Sequence, residues 1–260
     1  MGTELNQAGG GHEAPRVLSH RGARCEYDDN AAGGFRKSLE AGITGFETDV
    51  HMTADHKLVI MHDDNTKRTT GFDGVVEEMS FADVTALNLL ASGEKVPSLD
   101  DLLAVLGGHE GIDVEFEMKT DSPFYRGENG DLYCRLLHEA VVAAMAPGTY
   151  VFSSFVADTL GKMKRLYPDA PTGLIVGTGL THENIALAHS LGCCRIAPVM
   201  KGCTRELVDE AHAAGLKVTG WMVQELETWK IARAMGMDNT TSDYPFSLIR
   251  AVREASSAQA

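Results

Sequence analysis

The chain has 260 residues, 43% of them hydrophobic, and a formal net charge of −14. That length suits one large domain or two small ones, and it matches the roughly 250 residues of an α/β barrel. The acidic balance argues against nucleic acid or an anionic membrane as the main partner, because both require basic surface; a locally basic site for an anionic substrate stays open.

The five cysteines, Cys25, Cys134, Cys193, Cys194 and Cys203, are odd in number and form no C-x-x-C pair. A disulfide framework and zinc-knuckle spacing are therefore not expected, and reduced thiols in a cytoplasmic protein are. No apolar run approaches the length of a membrane span. The first 12 residues are polar and Gly-rich, without a basic n-region or an apolar h-region, so no signal peptide is expected. Position 6 is Asn6, off the myristoylation pattern. We expect a disordered tail over residues 1–14, a single domain over 15–255 and a short tail over 256–260.

Arg16-Val17-Leu18-Ser19 reads as a first strand with His20 and Arg21 at its C-terminal end. Phe35, Leu39 and Ile43 recur every four residues, which predicts a helix over about 31–41 closed by Gly42. A second strand follows at 45–50, then a turn at Ala54-Asp55 and an extended segment at 57–61 that carries His62 and Asp63 back. Residues 63–95 are too many for a simple βα loop and read as an insertion after the second strand. Within it, Ser80 is expected to cap a short helix. Ser98-Leu99-Asp100-Asp101 has the form of a capping box for a helix through Leu106. Residues 112–119 alternate apolar and acidic side chains, a strand pattern.

From there the rhythm is regular. Helices are predicted at 132–146, around 160–166, 184–191, 206–214, 227–235 and 247–254, with strands at 150–154, 172–176, 195–199, 217–223 and 238–243. Gly42, Gly192, Gly215 and Gly236 each close a helix just before a strand, the usual αβ joint. Eight strands each followed by a helix is the count of a (β/α)8 barrel.

In such a barrel chemistry sits at the C-terminal ends of the strands. Those ends carry His20-Arg21, Glu47 and Asp49, Glu117 and Lys119, Ser153-Ser154, Trp221, and Asp243-Tyr244. Residues i and i+2 of a strand share a face, so Glu47 and Asp49 project side by side and repel unless a cation or proton lies between them. Taken alone, an E-x-D pair is most often a solvated strand face, an isolated His a core residue, Lys119 a structural ion-pair partner and Trp221 simple packing. Joint placement at strand ends is the stronger signal. Three carboxylates suit one hard divalent cation, Mg²⁺ or Ca²⁺; His20 and His62 suit general acid/base work; Arg21 and Lys119 suit a phosphate. His51, Asp55 and His56 read as exposed hairpin residues without a role.

These motifs, in this order, resemble the glycerophosphodiester phosphodiesterase family over nearly the whole chain. The family signature of His-Arg, Glu-x-Asp and His-Asp reads here as His20-Arg21, Glu47-Thr48-Asp49 and His62-Asp63. Further matches are Arg68-Thr69-Thr70, Pro97 to Leu103, Glu117-Met118-Lys119, Ser154-Phe155, Trp221 and Ser242-Asp243-Tyr244-Pro245. The resemblance implies a TIM barrel with a small insertion and hydrolysis of a glycerophosphodiester to glycerol phosphate and an alcohol. It further implies Glu47, Asp49 and Glu117 as metal ligands, His20 and His62 as the acid/base pair, and Arg21 and Lys119 on the phosphate. We expect Trp221 and Ser154 in the substrate pocket. The chain departs from the family where many members carry Pro-Glu-Asn-Thr: it has Tyr27-Asp28-Asp29-Asn30.

Three other readings compete with this one. A lysophospholipid or another phosphodiester fits the same barrel, although the insertion offers few large apolar residues (Phe72, Met79, Phe81) for an acyl tail. A Schiff-base enzyme would use Lys119. A non-catalytic barrel would not keep the full set of polar strand-end residues.

Overall fold

The computed structural model describes residues 14–257. The tail expected at residues 1–14 lies outside the described residues except for Ala14, as do residues 258–260. The elements run β1 (Arg16–His20), α1 (Ala32–Glu40), β2 (Gly45–Met52), β3 (Leu58–Ile60), α2 (Lys67–Thr70), α3 (Phe81–Ala86), α4 (Leu99–Leu106), β4 (Asp113–Met118) and α5 (Glu128–Ala144). They continue β5 (Tyr150–Ser154), α6 (Ala157–Leu166), β6 (Thr172–Val176), α7 (His182–Ser190), β7 (Arg195–Pro198), α8 (Arg205–Ala213), β8 (Lys217–Gly220), α9 (Leu226–Met235), β9 (Asn239–Ser242) and α10 (Pro245–Ser257).

Every strand but β3 pairs in parallel with its neighbours, in the order β1-β2-β4-β5-β6-β7-β8-β9. β1 pairs with both β2 and β9, so the sheet closes on itself as a (β/α)8 TIM barrel. β3 is an antiparallel addition, with Val50 opposite Ile60 and Met52 opposite Leu58. It occupies the edge of β2 beyond the point where β1 stops, since the β1–β2 register ends at His20 opposite Glu47. The chain between β3 and α4 folds over this hairpin around a small apolar core of Val59, Met61, Val76, Val84, Leu89 and Val96.

Local signals explain most element ends. Ser80 Oγ accepts the Asp83 N–H at α3, and Ser98 with Asp101 closes a full capping box at α4. Gly42 and Gly236 take φ of +75° and +81° at αβ joints, a region that a Cβ disfavours. α7 starts earlier than the apolar periodicity predicts, because Thr181 and Asn184 form a second capping box. No helix among the described residues is long and apolar enough to cross a membrane.

The strand alternation sorts the chemistry. Phe46, Val50, Val114, Phe116 and Phe152 belong to the main apolar cluster shared with helix residues such as Phe35, Leu102 and Leu137. The alternate positions, Glu47, Asp49, Asp113, Glu115 and Glu117, are buried all the same and point into the barrel. The barrel interior is therefore charged, where branched aliphatic layers are more usual. Its lower layer is neutralised by Arg195, which contacts Asp113 at 2.6 Å and Glu115 at 3.2 Å. Asn239 donates to Asp113 at 3.3 Å and to Thr219 at 3.2 Å. Truncating Arg195→Ala strands two buried carboxylates, and an unfolding titration should show a loss of about 3–5 kcal/mol.

Candidate active site

The strand register assembles the site. Along β1–β2, His20 lies opposite Glu47; along β2–β4, Asp49 lies opposite Glu117. One carboxylate oxygen from each of Glu47, Asp49 and Glu117 falls within 4.8 Å of the others, and all three residues are buried. Glu47 Oε1 has no hydrogen-bond partner among the described residues. Burial and the neighbouring Asp49 and Glu117 carboxylates push the Glu47 pKa well up. Burial, with Asp49, also pushes Glu117 up to about 7. Asp49 goes the other way: burial alone would raise its pKa, but Lys119 and Arg21 together pull it well below the usual carboxylate range. Lys119 Nζ stands 3.1 Å from Asp49 Oδ1 and is hydrogen-bonded to Glu117. Arg21 Nε stands 3.3 Å from Asp49 Oδ2, which also accepts from Asn30 Nδ2 at 2.8 Å. An all-oxygen donor set with a buried unpartnered oxygen fits a hard divalent cation.

Two imidazoles flank the cluster, and each is anchored in the same way. His20 Nδ1 lies 2.5 Å from Asp243 Oδ1, leaving Nε2 toward the cluster, 3.5 Å from Glu47 Oε2. His62 Nδ1 lies 2.7 Å from Asp63 Oδ1. A carboxylate on Nδ1 fixes the ring and its tautomer and leaves Nε2 free to exchange a proton. Burial lowers both histidine pKa values, against the pull of Asp243 on His20 and of Asp49 on His62. Asp63 in turn is held down to about 2, against the effect of burial, by Arg68 and His62.

Residues 20–246 match the model of the glycerophosphoryl diester phosphodiesterase family. The chain belongs to that family. It is 26% identical over 248 residues to a glycerophosphodiester phosphodiesterase of Caldanaerobacter subterraneus subsp. tengcongensis, covering 92% of this chain and 98% of that one. Its fold superposes with a TM-score of 0.85 on a crystal structure of this family from Silicibacter pomeroyi, at 27% identity over 95% of this chain and 96% of the other. An Oleispira antarctica phosphodiesterase, solved with the product sn-glycerol-3-phosphate, has the same fold at a TM-score of 0.82 and 23% identity, over 92% and 97% of the two chains.

Within this family fold, a cavity of about 310 Å³ opens at the C-terminal end of the barrel. Its walls include His20, Glu47, Glu117, Phe155, Ile175 and Trp221. Trp221 forms one wall, its Nε1 donating to Ala197 O at 2.9 Å and its ring standing edge-on to Phe155. Ser154, expected in the pocket, does not line it. Its hydroxyl is turned into the backbone, donating to Met118 O at 3.0 Å and accepting from Val156 N at 3.1 Å, and the next residue, Phe155, takes the wall position.

His51 also departs from expectation. It is buried, with Nε2 3.2 Å from His62 O and Nδ1 3.4 Å from Glu77 Oε1, so it supports the segment that carries His62. Asp55 is tied to the start of α3, accepting from Phe81 N at 2.8 Å. Sequence reasoning gave no role to Asn30, which takes φ +59° and bridges Thr48 and Asp49. It also missed Asp29, which clamps Arg21 and Arg68 together, and Arg24, which stands 2.8 Å from Asp243. The usable signal was position: Asp243 ends a strand, and Arg68 begins the Arg-Thr-Thr motif.

A site built on carboxylate repulsion makes a stability test available without any substrate. EDTA-treated protein should gain about 2.7 kcal/mol of unfolding free energy at a free Mg²⁺ or Ca²⁺ concentration a hundred times its Kd. Glu47→Gln should lose that gain; an equal gain in the variant would move the ion elsewhere.

Proposed function

We propose that the chain hydrolyses glycerophosphodiesters to glycerol phosphate and an alcohol, with one divalent cation, Mg²⁺ or Ca²⁺, and a His20/His62 acid–base pair. The observation that carries this reading is the buried Glu47, Asp49 and Glu117 cluster set between two Asp-anchored histidines. The family's naming after this reaction supports it. The five free cysteines support a cytoplasmic setting.

Glu47, Asp49 and Glu117 hold the cation, which when bound supplies positive charge against the phosphoryl oxygens and lowers the pKa of a neighbouring hydroxyl. Arg21, on the cavity wall, and Lys119, behind it on Asp49 and Glu117, add positive charge. Their own carboxylate partners keep both charged, and Lys119 is held well above its usual pKa by Asp49 and Glu117 despite burial. Nε2 of one histidine takes the proton of the glycerol 2-hydroxyl as that oxygen forms its bond to phosphorus. The bond from phosphorus to the alcohol oxygen breaks, and the other histidine, protonated at Nε2, gives its proton to that leaving oxygen. A cyclic phosphate and a free alcohol result, with each histidine in its partner's former state. Water then adds to phosphorus with the two roles reversed, which opens the ring to glycerol phosphate and restores both residues. Asp243 and Asp63 hold the imidazoles through both halves and favour each ring while it is charged.

His20→Ala and His62→Ala should each lower kcat on glycerophosphocholine at least ~10²-fold while divalent-ion binding persists. Near-normal turnover by either variant rejects the acid–base assignment. Activity should vanish in EDTA and return on titration with Mg²⁺ or Ca²⁺, and an EDTA-insensitive enzyme removes the metal from the mechanism. Asp243→Asn should reduce kcat at least ~10²-fold through the His20 tautomer.

A further inference from the structure

A second cavity, of about 500 Å³, lies outside the first, between the barrel mouth and the insertion. The two share Arg21, Arg24 and His62 as a common wall. A phosphodiester has two arms. A substrate with its phosphorus at that shared wall and its glycerol arm in the inner cavity would place its alcohol arm in the outer one.

The outer cavity presents its charges asymmetrically. Its carboxylates are already occupied. Asp28 accepts from Asp29 N and Ser92 N, each at 2.8 Å. Asp29 Oδ2 takes both Arg21 and Arg68, and its Oδ1 accepts from Asn30 Nδ2 at 3.3 Å. Asp63 is divided between His62 and Arg68. The cations are only partly used. Arg24 is held at Nε by Asp243 at 2.8 Å, Arg68 at Nε by Asp63 and at Nη1 by Asp29. No other side-chain partner of either guanidinium is found among the described residues. The Arg24 and Arg68 side chains are 33% and 48% exposed, against 8% for Asp29 and 28% for Asp63. Among the described residues no Trp, Tyr or Phe ring lines the cavity, whereas a quaternary ammonium is recognised by such rings.

We propose that this outer cavity selects glycerophosphodiesters whose alcohol carries an anion, a carboxylate or a second phosphate, with Arg24 and Arg68 as the specificity-determining residues. The proposal rests on the phosphodiesterase reading above. Arg24 is fixed at Nε by one carboxylate and Arg68 at Nε and Nη1 by two, which leaves N–H groups of each without a side-chain partner among the described residues for charge-assisted binding of an oxyanion.

The test compares the full, divalent-ion-loaded chain on three substrates: glycerophosphoinositol, its 4-phosphate and glycerophosphocholine. The second is the first with one inositol hydroxyl esterified by phosphate, so the two share every other group and differ by that anion. The 4-phosphate should exceed both others in kcat/KM by about 10-fold at low salt, and the advantage should shrink as ionic strength rises. Arg24→Gln and Arg68→Gln should each cut the ratio of 4-phosphate to parent compound toward one, while Arg24→Lys should keep part of it. A purely structural role would lower kcat/KM on all three substrates by one factor and leave the ratio intact, which overturns the proposal. A wild-type ratio of one, or a preference for glycerophosphocholine, overturns it as well and leaves the phosphodiesterase reading standing. Failure to hydrolyse any of the three overturns both.

Discussion

Three carboxylates share one buried space at the top of this barrel, and their mutual repulsion is what the surrounding structure answers. In water such a cluster would spread apart; here the strands forbid it. Parallel pairing puts His20 beside Glu47 and Asp49 beside Glu117, so the hydrogen-bonded register of three neighbouring strands is itself the geometry of the site. A one-residue slip of β2 would send its inward face outward and replace Glu47 and Asp49 with apolar or hydroxyl side chains. The charge is then divided unequally. Asp49 stays ionised because Lys119, Arg21 and Asn30 all address it, while Glu47 and Glu117 are pushed up toward protonation. The cations beside the cluster thus address Asp49 first, and Glu47 keeps an oxygen without a hydrogen-bond partner among the described residues.

The second dependence is on the hairpin. His62 follows a strand that belongs to no barrel position, and β3 pairs antiparallel on the free upper edge of β2. This lets one strand supply two carboxylates of the cluster and then return the chain with His62 beside the same cavity. The return is secured from below by His51 on the His62 carbonyl and from the side by the chain His62–Asp63–Arg68–Asp29–Arg21. That chain joins the insertion to the loop after β1, so the insertion positions one catalytic candidate as well as covering the barrel.

Much of this was legible because strands announce themselves by period. Alternation within 45–50 and 112–119 gave both the strands and the inward face, and the βα rhythm gave the barrel. Asp243 was legible as a strand end but not as the partner of His20, since the two are 223 residues apart in sequence and only barrel closure between β9 and β1 joins them. Asn30 carries no periodic signal, because its role depends on a left-handed backbone in an irregular loop. Ser154 shows the opposite error. The family pattern Ser-Phe marked the position, but a strand end offers only one of two adjacent residues to the cavity, and the backbone groups of Met118 and Val156 capture the hydroxyl. His51 looked exposed because turns usually are; the insertion that buries it is distant in sequence.

The acidic chain and its anionic substrate present an apparent conflict that distance resolves. A net charge of −14 acts over the whole surface, where salt screens it beyond about 8 Å at physiological ionic strength. The forces that matter for a phosphodiester act at contact. At the mouth the carboxylates are turned to arginine, histidine and backbone partners, and the most exposed charged groups paired there are the Arg68 and Arg24 guanidinium groups, with Asp63 partly exposed beside them. The same pairing holds lower in the barrel, where Arg195 takes up Asp113 and Glu115, the second of which also lines the inner cavity. Acidic residues thus serve throughout as holders of cations, and the field felt by the substrate is set by which cations they leave exposed.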